Sequence, residues 1–187
     1  MRRIGKGAVG AALGLALVLA GCSSSSKRPE PAALPVVSGS LTVSKGWSTR
    51  LGEVSTPLQA VVIGTRVILA STQGLLLELD ADTGREVWRQ QLNAQLIAGV
   101  GSDGKRHAVI SSGNELIVSQ AGREIWRQKL SAQTFTAPLV AGERVFVQTA
   151  DRSVVAYDGA SGQRLWALQR NADPLVLRQA GVLVAVG

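Results

Sequence analysis

The feature that most constrains this 187-residue chain is a phrase that it repeats. Residues 84–92 read GREVWRQQL and residues 122–130 read GREIWRQKL, so seven of nine letters are identical. Each phrase contains one of the four tryptophans of the chain, which follow one another at intervals of 41, 38 and 40 residues: Trp47, Trp88, Trp126 and Trp166. A nearly constant period of this length is typical of stacked or radial repeats.

Each repeat contains the signals for four short strands. Residues 56–88 and 136–166 pass through three apolar runs separated by turns, and a last turn leads into the tryptophan strand. A leucine-rich repeat would be shorter, and helical repeats would show a 3.6-residue periodicity that is missing here. Four strands in about 40 residues are the size of one propeller blade. The predicted fold class is therefore all-β, a β-propeller of four-stranded antiparallel blades.

A glycine precedes three of the tryptophans by four residues: Gly84, Gly122 and Gly162. Glycine can take a positive φ in a tight turn, so it fixes where the outer strand begins. A fixed register then sends every tryptophan to the same side of its blade. We expect the four tryptophans and the three glycines to dock neighbouring blades; stacking of the indoles on a cofactor is the alternative.

The first 40 residues are predicted to target and tether the protein. Residues 1–21 combine a basic start with an apolar run, which is typical of a secretory signal peptide. The run ends in the letters LAGC, which look like a bacterial lipobox, so Cys22 is predicted to become the acylated (palmitate-carrying) first residue of the mature chain. Residues 22–40 are rich in Ser and Pro and are expected to form a flexible linker.

The charged and metal-binding residue types favour no catalytic or nucleic-acid site. The net charge of +7 comes without a basic stripe interleaved with aromatics. One cysteine and one histidine leave no metal-ligand cluster, and we predict no cofactor. The histidine, His107, ends the polar stretch 101–107 and is interpreted as a surface turn residue. The acids are interpreted as turn formers or solvated strand residues: Asp80, Asp82, Asp151, Asp158, Glu86 and Glu124.

The pattern D-x-x-x-G-x-x-x-W resembles the tryptophan-docking motif of the PQQ-type propeller repeat family. It occurs at 80–88 (DADTGREVW) and at 158–166 (DGASGQRLW). The middle repeat departs from it, because its turn at 118–122 (VSQAG) is shorter and has no Asp. We expect that turn to differ in shape while the contact between blades is kept. The motif implies the fold and says little about activity.

The lipobox, the linker and these repeats together resemble the lipoprotein family of the outer-membrane β-barrel assembly machinery, whose members are eight-bladed propellers. The resemblance implies a non-catalytic scaffold in the outer membrane, facing the periplasm. It would bind the periplasmic domains of the barrel-forming subunit, BamA, and assist the folding and insertion of β-barrel proteins. Serine rather than aspartate after Cys22 also favours the outer membrane. Unfolded outer-membrane proteins are the other implied partners.

The family also implies how the chain divides. Its N-terminal strand completes its last blade, so residues 41–52 around Trp47 are expected to be that outer strand. The remaining units are the complete blades 56–92, 94–130 and 136–170 and the start of a fourth at 171–187. We interpret the chain as an incomplete arc of about three and a half blades, the N-terminal part of a longer or truncated propeller.

One segment near the end matches the loop by which the family contacts its partner. Residues 174–179 read PLVLRQ and contain the motif L-x-L-R. The resemblance implies that Leu175, Leu177 and Arg178 form the contact with BamA. Two leucines at i and i+2 share one face of an extended segment, and arginine is a common interface anchor. The alternative is that the leucines belong to the buried first strand of the fourth blade.

Two other function classes stay open. A fragment of a PQQ-dependent dehydrogenase would need a calcium site and a general-base aspartate, and no converging pair of acids emerges from the sequence. A periplasmic propeller sensor that binds a small molecule or a cell-wall fragment is not excluded by any residue.

Overall fold

Twelve strands lie in the residues that the computed structural model of the chain describes, which are 44–55, 58–169 and 181–185. The predicted signal peptide, Cys22, the linker, and Leu175, Leu177 and Arg178 fall outside these residues. No helix in the described part of the chain is long and apolar enough to cross a membrane.

The strands form three separate sheets of four, each from consecutive strands. Blade one contains β1 (Val61–Ile63), β2 (Arg66–Ala70), β3 (Leu75–Asp80) and β4 (Glu86–Gln91). Blade two contains β5 (Leu96–Ser102), β6 (Arg106–Ser111), β7 (Glu115–Gln120) and β8 (Arg123–Lys129). Blade three contains β9 (Leu139–Ala141), β10 (Arg144–Gln148), β11 (Ser153–Asp158) and β12 (Arg164–Gln169). All neighbouring strands are antiparallel, which confirms the predicted all-β class and blade architecture.

The hydrophobic core lies between the blades, in two clusters. The first seam, between blades one and two, is packed by Ile68, Ala70, Leu76, Leu92, Leu96, Val100, Val109 and Ile117. The second seam, between blades two and three, includes Ala108, Ile110, Leu116, Val118, Val145, Val147 and Val155. Blade two therefore buries both of its faces, and every residue of β6 is buried. This is why its strands read as apolar runs rather than as a strict alternation.

Each outer strand carries a β-bulge directly before its tryptophan. The register between the third and fourth strand of each blade shifts at the same place, for example between Glu78 and Leu79 in blade one. The extra residue is apolar and exposed in all three blades: Val87 (43% exposed), Ile125 (40%) and Leu165 (45%). A bulge bends the strand and re-aims the next side chain. It explains why an apolar residue next to each tryptophan faces solvent.

Residues 44–55 contact blade one without forming a strand of their own. The backbone N–H of Thr72 donates to the carbonyl of Glu53 over 3.0 Å. The described part of the range 41–52 pairs with none of the three described blades, and the last blade that it is expected to complete is not among the described residues, so the outer strand stays a prediction. A strand requires a ladder partner, and the described residues give this segment contacts to blade one but no ladder.

Candidate functional site

Three tryptophans each lie against the outer turn of the blade that follows them. Their neighbours are the glycines predicted from the spacing, and all three glycines have positive φ. At Gly84, an added Cβ would lie 2.6 Å from the ring of Trp47. At Gly162 it would lie 2.7 Å from the ring of Trp126, and at Gly122 it would lie 3.3 Å from Cβ of Trp88. These contacts support the docking role that we propose for the six residues.

Two of these tryptophans also donate a hydrogen bond to the turn they cover. Nε1 of Trp47 donates to the carbonyl of Ala81 over 2.7 Å, and Nε1 of Trp126 donates to the carbonyl of Gly159 over 2.9 Å. Each carbonyl belongs to the residue that follows the motif aspartate. The ring thus covers the turn and satisfies its own polar edge at the same time, as buried tryptophans usually do.

The motif aspartates hold these turns in shape. Oδ1 of Asp80 accepts from the backbone N–H of Thr83 over 2.9 Å and from its hydroxyl over 2.6 Å. Oδ1 of Asp158 accepts from the N–H and hydroxyl of Ser161 over 2.7 and 2.8 Å. These hydrogen bonds stabilise the ionised carboxylates, so the pKa of each aspartate lies below its ordinary value.

The outer turn of blade two is shorter than the other two. Ala121 and Gly122 alone connect β7 to β8, with φ of 49° and 73°, as in a type I′ hairpin turn. The indole of Trp88 donates to a side chain instead of to a carbonyl of this turn. The predicted change of shape is therefore present, and Trp88 still lies on Gly122.

Trp88 uses a side-chain acceptor where its neighbours use a backbone carbonyl. Its Nε1 donates to Oε2 of Glu78 over 2.8 Å, and the two residues face each other across β3 and β4. Nε2 of His107 lies 3.5 Å from the same oxygen, and Nε of Arg66 lies 3.7 Å from Oε1. Nδ1 of His107 is 3.0 Å from the hydroxyl of Ser102. We call these five residues the Glu78 joint.

The interpretation of His107 as a surface turn residue is wrong. Its exposed fraction is 1%, and its ring centroid lies 5.0 Å from that of Trp88. The turn ends before the histidine, which is the second residue of β6. Strand alternation then places it on the same face as Val109, toward blade one. Burial lowers the pKa of His107 to about 4, although the charge of Asp103 opposes the shift.

Sequence reasoning did not single out Glu78 at all. A lone acid in the apolar strand LLLELD has the form of a residue on a solvated face, yet its exposed fraction is 7%. The sequence signal that could have identified Glu78 is an acid in an apolar strand together with a shortened turn in the next repeat. This combination indicates that the indole of Trp88 uses a side-chain acceptor instead of a backbone carbonyl.

Trp166 has a different environment from the other three tryptophans. Its exposed fraction is 42%, and its ring centroid lies 5.9 Å from that of Phe146 in its own blade. All six residues of β12 are exposed, including Leu168 at 57%. No described residue places a blade turn over this ring. Docking by Trp166 therefore stays a prediction.

The described residues assemble no metal site. No group of three or more histidine, cysteine, aspartate or glutamate side chains lies close enough in these residues to hold an ion. The acids interpreted as solvated strand residues are exposed and pair within their own strands. Glu86 pairs with Arg89 at 2.8 Å, and Glu124 pairs with Arg127 at 2.9 Å.

Comparison with known proteins finds one family over almost the whole chain. A family model described as "Outer membrane protein assembly factor BamB" matches residues 38–98 and 72–187. The BamB of Burkholderia pseudomallei is 32% identical over 174 residues, which cover 91% of this chain and 46% of that protein. The BamB of Bordetella pertussis is 32% identical over 173 residues, 90% of this chain and 45% of that protein. The chain thus spans about half the length of these curated relatives.

Solved structures share the blade architecture. BamB from Moraxella catarrhalis superposes with a TM-score of 0.59 at 22% identity, over 67% of this chain and 39% of that chain. A europium-containing methanol dehydrogenase superposes with a TM-score of 0.55 at 19% identity, over 67% of this chain and 27% of that chain. Likeness at this level of identity shows the fold alone.

Proposed function

Since this chain belongs to the BamB family of outer membrane protein assembly factors, we propose that it is a non-catalytic scaffold lipoprotein that serves the assembly of outer-membrane proteins. The observation that carries the proposal is the 32% identity to the BamB of Burkholderia pseudomallei over 91% of this chain. The scaffold is anchored to the outer membrane through acylated Cys22 and faces the periplasm. It binds the periplasmic domains of BamA and assists the folding and insertion of β-barrel proteins.

The described geometry supports a role without catalysis. Ser102, His107 and Glu78 form a row of hydroxyl, imidazole and carboxylate, which are the side chains that nucleophilic enzymes use. The histidine is 1% exposed, so no substrate reaches it. The carboxylate accepts from Trp88, and the hydroxyl accepts from the backbone N–H of Gly104 over 3.0 Å. The three side chains thus form part of the contact between blades one and two, in which His107 faces Glu78.

The partner contact is assigned to Leu175, Leu177 and Arg178. An apolar pair with an adjacent arginine suits the centre of a protein interface, where such residues carry most of the binding energy. The alternative, that the leucines pack inside a fourth blade, predicts loss of folding rather than loss of binding when they are truncated.

Co-purification with BamA tests both the partner and the site. The expected result is capture of BamA by the unsubstituted chain and its loss on Leu175→Ala plus Arg178→Ala. A matched control is Leu168→Ala plus Arg164→Ala, which removes the same side chains from the exposed strand β12. The control should retain binding. Capture that survives the first pair contradicts the site, and no capture by the unsubstituted chain contradicts the partner.

Thermal unfolding of the same variants separates binding from packing. If Leu175→Ala alone lowers the free energy of unfolding by on the order of 2–5 kcal/mol, as a core truncation does, the leucine is a core residue. An interface residue leaves the midpoint close to that of the unsubstituted chain.

The alternative that the sequence leaves open is a quinone-dependent oxidoreductase fragment, a class whose member, a europium-containing methanol dehydrogenase, shares the fold of this chain. Dye-linked oxidation of alcohols or sugars after addition of the quinone and calcium tests it. Turnover above that of the quinone alone would overturn the scaffold proposal.

A further inference from the structure

The two seams between blades are built from different chemistry. In the second seam, the indole of Trp126 donates to a backbone carbonyl, which keeps its charge state at every pH. In the first seam, the indole of Trp88 donates to the carboxylate of Glu78, which also faces His107. Only the first seam therefore contains an imidazole in its polar contact, among the described residues.

We propose that the Glu78 joint is a proton-sensitive lock, which holds blades one and two together while His107 is neutral and favours their separation when His107 takes up a proton. The inference concerns the stability of one seam and is independent of the proposed function.

The hydrogen bonds of the joint fit the neutral imidazole. The hydroxyl of Ser102 accepts from the N–H of Gly104 over 3.0 Å, so its own hydrogen is free to point at Nδ1 of His107. Nδ1 is then an acceptor, and Nε2 carries the ring proton and faces Glu78. This tautomer is assigned from the network. A second proton on Nδ1 would meet the hydroxyl hydrogen and force Ser102 to give up that bond.

The charged groups around His107 come from four elements. Glu78 lies on β3, and Arg66 on β2 sits close enough to that carboxylate to offset part of its charge. Asp103 lies in the turn before β6, and its charge favours the protonated ring.

Arg106, the residue of β6 that precedes His107, faces away from it, because its Cδ lies beside Gly159 of blade three. Trp88 on β4 is uncharged and covers one side of the ring.

Burial dominates this balance. The pKa of His107 falls to about 4 in the closed seam, compared with its ordinary 6.5 when the ring is exposed to water. Opening of the seam therefore binds a proton between pH 6.5 and pH 4, so acid favours the open form throughout that window. Among the described residues of the second seam, the pKa of Tyr157 is raised and that of Asp158 is lowered, so both shifts lead away from this window.

Nuclear magnetic resonance tests the lock on the full labelled chain, because His107 is its only histidine. The ring resonance should titrate near pH 4. After correction for intrinsic exchange, the indole N–H of Trp88 should exchange about 20-fold faster at pH 5 than at pH 7, as proton-linked opening requires. The indole N–H of Trp126 should show no comparable change. Titration of His107 near pH 6.5, or an equal response of both indoles, would overturn the proposal.

A substitution separates the lock from ordinary packing. His107→Gln keeps a polar side chain that can face Ser102 and Glu78 but cannot titrate. It should abolish most of the acceleration of Trp88 exchange between pH 7 and pH 5. An unchanged acceleration in this variant contradicts the role of His107. If the variant does not fold, the two indole responses of the unsubstituted chain still decide the question.

Discussion

The indole nitrogen of Trp88 donates to Glu78, its own cross-strand partner, over 2.8 Å, instead of donating to the next blade. In the second seam the corresponding indole, that of Trp126, reaches forward to the carbonyl of Gly159. The residue opposite Trp126 is Val118, which offers no side-chain acceptor. The carboxylate thus has the role for Trp88 that a carbonyl of the following turn has for Trp126. Trp47 and Trp126 share one kind of acceptor, the carbonyl after the motif aspartate, and Trp88 differs from both.

Removing the acceptor should destabilise the chain more than neutralising it. Glu78→Ala removes the acceptor of the indole N–H of Trp88 and the carboxylate that faces Nε2 of His107, while Nδ1 of His107 keeps Ser102. A polar group left unsatisfied there costs on the order of 1–3 kcal/mol. Glu78→Gln keeps an oxygen acceptor and should cost less. Urea unfolding at neutral pH measures both. Equal losses would show that the indole contact contributes nothing beyond packing.

The two tryptophans of blades two and three should differ in their contribution to stability. Trp126 is 9% exposed in the second seam, and Trp126→Ala should cost about 3–5 kcal/mol. Trp166 is 42% exposed, and Trp166→Ala should cost about 1 kcal/mol. Paired denaturation curves measure the difference. A loss for Trp166 as large as that for Trp126 would mean that its ring is covered in solution.

The turn glycines should be sensitive for a steric reason beyond their φ. Gly162→Ala places a methyl group 2.7 Å from the ring of Trp126, whereas Gly142→Ala meets nothing within 4 Å. Both glycines have positive φ, at 73° and 55°, so both substitutions carry a strain of about 1 kcal/mol. Gly162→Ala should lose more stability in urea unfolding and should alter the near-ultraviolet circular dichroism of the indole. If both variants lost the same free energy of unfolding, backbone strain alone would explain the effect of Gly162→Ala.

Acid should weaken the blade turns below the window in which His107 acts. The hydrogen bonds from Ser161 lower the pKa of Asp158 below 3.8, so the ionised form stabilises the fold above that pH. This stability is lost as the pH falls through the lower folded value. Asp158→Asn should therefore flatten the dependence of the urea midpoint on pH below about 3.8 while leaving the dependence between 6.5 and 4 in place. If Asp158→Asn also flattened the dependence of the urea midpoint on pH between 6.5 and 4, Asp158 and His107 would not act in separate pH ranges.

The blade architecture could be predicted from sequence because its signals are local. A turn glycine four residues before Trp88, Trp126 or Trp166 fixes where an outer strand begins, and apolar runs of five or six residues fix the inner strands. Neither inference needs a distant residue. The shape change in the turn of blade two followed in the same way from the shorter spacing around Gly122.

The sequence by itself thus determined the repeat, the strand order within each blade and the place of Trp88, Trp126 and Trp166 on the outer strands. The tertiary structure decided which side chains are buried and what satisfies them, because burial of a strand face depends on a sheet formed by residues about 40 positions away. His107 is buried only because blade one covers its face of β6, and Glu78 is buried because that same face covers it in return. The bulge before Trp88 also depends on pairing with β3, which no single strand specifies.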